Sequence, residues 1–146
     1  MALQNLSIKD AMISIGALLK TDEEICAFCS DRFSKDYPKV MIGDMTRKDI
    51  PDVQDTPYIV VTDFKKQEGQ NIEFCPYEFV IWVGVAREKS TVTVVEDVEM
   101  IDTYGDCADL MTLVEKVLND PKKNNRPCSK INTIGPYPLD PSGQHW

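Results

Sequence analysis

Cys26 and Cys29, in the segment CAFC, have the C-x-x-C spacing that redox and zinc sites use. A thioredoxin-like site sets that motif just after a strand, at a helix N-terminus, where the helix dipole lowers the thiol pKa. Here a helical pattern precedes it. A structural zinc site needs a set of about four ligands, and Cys75, Cys107, Cys128 and His145 stand isolated in the sequence. Free cysteine is among the most buried residue types, so packed thiols are the favoured reading. A small cytoplasmic thiol or metal protein using Cys26 and Cys29 is the alternative. His145, the only histidine, has no Ser, Cys or carboxylate at a triad-like spacing, and a base needs a third group to orient it. No catalytic role, cofactor or metal is expected.

Asp44, Asp49, Asp52 and Asp55 punctuate the loop GDMTRKDIPDVQDT. An EF-hand alternates its oxygen ligands, sets Gly at the centre and closes on Glu. In this loop Gly43 precedes the acids and no closing Glu follows, so turn-capping and solubility explain the aspartates, with a subunit-contact loop as the second reading. The loop has 14 residues from Gly43 to Thr56, against a median connection of about 4 to 6. Phe74, Tyr77, Phe79 and Trp82 could stack on bases as an RNA-binding sheet does, but aromatics in strands are more often cross-strand packing. No glycine-rich phosphate cradle is present; Gly135 and Gly143 stand in a proline-rich tail.

The charge agrees with that reading. With 24 acidic and 16 basic residues the net charge is -8, which favours solubility and disfavours a groove built to neutralise phosphates. Lys122, Lys123 and Arg126 form the clearest basic cluster. Five cysteines at irregular spacing read as free thiols of a reducing compartment. No apolar run approaches the roughly 18 residues of a membrane span. The start MALQNLSIKD lacks the basic-then-apolar order of a secretory signal, so a cytoplasmic protein is expected.

The elements that would position these residues follow from periodicity. Ser7 with Asp10 opens a helix carrying Ile8, Ala11, Met12, Ile15, Leu18 and Leu19. Thr21 with Glu24 resembles a capping box and opens a second, with Ile25, Phe28, Cys29 and Phe33 on one side, after a sharp joint near Lys20. Pro38 ends that region, and a strand spans 39–42. Residues 57–100 read as a three-stranded antiparallel meander, with turns at KKQEGQN and AREKS. Ile59, Val60 and Val61 form its covered central strand, and Pro76 marks a bulge or edge early in the second. That second strand divides into Phe79, Ile81, Val83 and Val85 on one face and Glu78, Val80, Trp82 and Gly84 on the other. A third helix spans 103–118, PKKNNRP is a solvated loop, and SKINTI supplies a last strand.

The expected fold is α+β: an antiparallel or mixed sheet of about four to five strands, with about three helices packed mainly on one face. Residues 1–134 form a single domain, and 135–146 form a Pro/Gly/aromatic arm that no regular element can accommodate.

The leading helix SIKDAMISIGALL, the segment YPKVMIGDM before the acidic loop, PYIVVTDF with EFVIWVGV, and the terminal PYPLDPSGQHW together resemble the tail-terminator, or tail-completion, proteins of long-tailed bacteriophages and prophages. The resemblance implies a structural protein and not an enzyme. It would cap the tail tube as a homo-oligomeric, hexameric ring formed on the tube, with the tail tube protein and the head-tail connector as partners. Neither membrane nor specific nucleic-acid binding is implied. The protein would reside in the host cytoplasm during assembly and then in the virion tail. Asp44, Met45, Arg47, Asp49, Ile50, Asp52, Asp55, Tyr137, Leu139 and Trp146 are the expected subunit-interface residues. A module that binds peptides by strand addition is a further alternative.

Overall fold

A computed structural model describes residues 7–43, 53–66, 77–89 and 91–124. Its order is α1 (Ile8–Thr21), α2 (Glu23–Phe33), β1 (Lys39–Ile42), a 3-10 turn (Val53–Asp55), β2 (Tyr58–Lys66), β3 (Tyr77–Gly84), β4 (Val92–Val95), β5 (Val98–Ile101) and α3 (Asp102–Asn119). The α+β class holds. The strands do not join in one sheet, however: β1, β2 and β3 form one, in that order, and β4 with β5 forms a separate hairpin.

Local chemistry sets the helix ends. Ser7 caps α1, its Oγ accepting from the Asp10 amide at 3.0 Å, which satisfies one of the orphan donors of the first turn. The joint between α1 and α2 is a single residue, Asp22, the C-cap of one helix and the N-cap of the other. Its buried carboxylate accepts from the Ile25 amide at 3.1 Å. The expected Thr21–Glu24 box is therefore displaced by one residue. Thr21 closes α1, with its hydroxyl donating to the Ala17 carbonyl at 2.9 Å, and an aspartate accepts more strongly at the cap than a hydroxyl. Ser34 ends α2 in the left-handed region (φ 55). The Lys35 amide then reaches back to the Cys29 carbonyl at 3.1 Å, the six-to-one bond of a Schellman close.

β2 is the central strand, as its apolar run predicts: Ile59, Val60 and Val61 are all buried. β3 runs antiparallel to it, and β1 runs parallel. The parallel pair accounts for the length of the acidic loop, since the chain must return the length of a strand before β2 can begin, which a tight turn cannot do. The irregularity expected near Pro76 falls outside the described residues. A register shift is present on β2 instead, between Thr62 and Lys65, with Asp63 at φ 49. One extra residue there faces β3, the arrangement of a β-bulge.

One face of this sheet, with Val40, Ile59, Ile81 and Val83, meets Leu19 of α1, Ile25, Phe28 and Cys29 of α2, and Cys107, Leu110, Val114 and Val117 of α3. The opposite face carries Val80 and Trp82 with exposed area. The ring of Tyr58 lies across Gly84: a Cβ there would sit 2.0 Å from the tyrosine Cζ. Glycine is thus required at this cross-strand position. Burial pushes the Tyr58 hydroxyl up to about 12, with Cys107 adding to the effect.

Charged pairs close the seam between α2 and α3. Arg32 of α2 pairs with Asp106 at 3.0 Å and Asp109 at 2.6 Å, and Glu24 pairs with Lys116 at 3.0 Å. Lys123, just past α3, holds Asp22 at 2.9 Å. The acidic start of α2 therefore faces the basic end of α3, which complements both helix dipoles. The segment expected as a solvated loop is partly a cap: Asn124 is buried and its Nδ2 donates to the Leu118 carbonyl at 2.9 Å.

Candidate functional site

The described surface is most unusual at β4 and β5. Val95 and Val98 face each other across a two-residue turn, Glu96–Asp97, whose φ values are 50 and 62. Two successive left-handed residues make the type I′ geometry that suits a right-twisted ribbon. Glycine or asparagine usually fills those positions, and their absence hid this hairpin in the sequence. The expected meander is corrected accordingly: residues 91–95 do not pair back on β3 but turn at once into β5.

The ribbon is apolar on both faces. Val92, Val94 and Ile101 share one face, and Val95, Val98 and Met100 the other, by their register. Every one of the six is exposed, Val94 at 61% and Val98 at 64%. Alternation normally sets apolar residues inward and polar residues outward; here, among the described residues, only Met100 meets another element, and both faces keep exposed apolar area. A two-stranded ribbon is marginally stable alone in water, so what fixes this one is its base. The Asp102 amide donates to the Thr91 carbonyl at 2.9 Å, and the Thr91 hydroxyl donates to the Asp102 carboxylate. The hydroxyls of Thr91 and Thr93 hold that carboxyl below its usual range. Met100 rests on α3 at Gly105, where an added Cβ would come within 2.9 Å of its sulfur. The ribbon is thereby anchored at one end and bare along its length.

A second feature lies beside β1, one of the two outer strands of the larger sheet among the described residues. A shallow groove there is lined by Lys20, Lys35, Tyr37, Lys39, Val40 and Asp55, among others. Lys39 pairs with Asp55 at 3.1 Å, Lys20 stands 4.9 Å over the Tyr37 ring, and Lys35 reaches the Gln54 carbonyl at 3.5 Å. Tyr37 is largely exposed.

Of the interface residues expected from sequence, Asp55 alone lies among the described residues, and it forms part of this groove. Asp44, Met45, Arg47, Asp49, Ile50, Asp52, Tyr137, Leu139 and Trp146 lie outside them, as does the last strand expected at SKINTI. The hairpin and the basic groove were not anticipated. The signal for the hairpin was present in VTVVEDVEMI, a β-branched run and a second, largely apolar one on either side of two polar residues.

The C-x-x-C pair lies within α2, beyond its first turn. Burial, and then Cys26, push the Cys29 thiol up to about 12. Burial and the Asp22 carboxylate raise Cys26 as well, and its thiol donates to the Lys20 carbonyl at 3.2 Å. Cys107 is raised to about 11 by burial and Asp106. Each shift disfavours the thiolate, the form that attacks disulfides and binds metal. Among the described residues no cluster of three His, Cys, Asp or Glu side chains could hold a metal ion, and no helix is long and apolar enough to cross a membrane. No family model, no curated protein and no solved structure matches this chain.

Proposed function

We propose that this protein is a structural component of a phage tail. It caps the tail tube and forms a ring at the head-proximal end, in terminating the tail or joining it to the head. The supporting observation is the β4–β5 hairpin, which projects six exposed apolar side chains from a base fixed on α3. Contiguous exposed apolar surface of this kind marks a site of protein association. A ring also requires each subunit to offer contact surface to two neighbours, and the groove beside β1 provides a second surface apart from the hairpin. The phage assignment itself rests on the sequence resemblance in the helix, strand and arm segments. Partners on this reading are further copies of the chain, the tail tube protein and the connector, and the protein passes from host cytoplasm to virion tail.

Light scattering and electron microscopy, with and without purified tail tubes, test the proposal. Rings in solution or on tube ends are expected. A strictly monomeric protein that leaves tube ends bare would overturn it.

A further inference from the structure

We propose that copies of this chain join head to tail, the β4–β5 hairpin of one copy seating in the groove beside β1 of the next. This rests on the self-assembling reading above and assigns its two surfaces. The first argument is charge. The hairpin carries Glu96, Asp97 and Glu99 and no basic residue between Val92 and Ile101. The groove has Lys20, Lys35 and Lys39 around Tyr37 and Val40, with Asp55 as the one carboxylate among its described lining residues. Asp55 already pairs with Lys39, whereas Lys20, over the Tyr37 ring, and Lys35, on the Gln54 carbonyl, have no carboxylate partner among the described residues, so their charge is available to an incoming acidic tip. An apolar centre inside a charged rim is the ordinary anatomy of a protein interface.

The second argument is symmetry. Two hairpins meeting each other about a two-fold axis would bring their carboxylates together with no cation on either ribbon, and like charges in register oppose pairing. The groove is the basic alternative on the same chain. A contact between two different surfaces is heterologous, and repetition of it closes a ring or continues as a filament. β1 is also an edge strand whose outer side has no ladder partner among the described residues, a natural place for another chain to bind.

Charge reversal with cross-mixing tests this joint. The hairpin variant is Glu96→Lys/Glu99→Lys and the groove variant is Lys20→Glu/Lys35→Glu; all four residues are exposed, and circular dichroism checks that each variant is folded. By light scattering, each variant alone is expected to associate more weakly than wild type by at least about tenfold, because like charges then face each other. An equimolar mixture is expected to regain assembly, since the altered hairpin meets the altered groove and the native hairpin the native groove. If wild type assembles and either variant alone does so equally well, or the mixture does not recover, this joint is wrong and the ring reading survives. If wild type is monomeric both in solution and on tail tubes, the self-assembly reading falls and this inference with it.

Discussion

The seam between α2 and α3 and the β4–β5 hairpin use the same residue types to opposite ends. Val117 in the seam is fully buried, whereas Val98 at the hairpin tip is 64% exposed. In the seam, carboxylates are matched by cations: Arg32 and Arg87 grip Asp106, and Lys123 grips Asp22. On the hairpin, Glu96, Asp97 and Glu99 have no basic residue along their own ribbon. A region whose apolar and charged groups are both satisfied holds the fold together. One whose apolar and charged groups are both open is, on the assembly proposed above, the surface that meets the next copy.

Substitutions in the two regions should separate stability from assembly. Leu110→Ala in α3 removes a fully buried side chain and should lower the unfolding free energy by about 2–5 kcal/mol in a urea titration. Asp106→Ala leaves Arg32 and Arg87 without their shared buried acceptor and should cost about 1.5–3 kcal/mol, charged hydrogen bonds being the stronger kind. Less than that loss would mean that the two guanidinium groups, each about one-third exposed, recover their interactions from water.

The hairpin base should respond to pH. Asp102 is held below its ordinary value of 3.8 by Thr91 and Thr93. Its contribution is therefore complete above the unfolded value and is lost as the pH falls through the lower folded one. Amide signals of Thr91 to Val95 should broaden or shift in that acid range while those of β2 do not. Thr91→Val should remove part of this dependence. Smallest of all, Val94→Ser/Val98→Ser should change the stability of the dissociated chain by less than about 0.5 kcal/mol, as surface changes do, yet weaken association.

Much of the fold was legible where one local signal acts alone. Ser7 before a 3.6-residue pattern, the unbroken Ile59–Val61 run and the α3 stripe each led to the observed element. Signals failed where two were in competition. Thr21 and Glu24 matched a capping box, but Asp22 between them bonds the helix amide more strongly and takes the cap. Glu96–Asp97 lacks the glycine that announces a type I′ turn, so β4 was joined to the wrong partner. The acidic loop stood out as long for a connection, and the parallel pairing of β1 with β2 is what requires that length. Of the site, only Asp55 was foreseen. A surface is defined by what fails to cover it, and periodicity along the chain cannot reveal missing cover.

Amide hydrogen exchange as a function of protein concentration tests the contrast between seam and hairpin most directly. The account predicts that amides from Val92 to Ile101 are weakly protected in dilute solution and become protected as the protein associates or binds tail tubes, while those of β2 and α3 are strongly protected throughout. Hairpin amides protected equally at every concentration, or unprotected in the assembled ring, would contradict it.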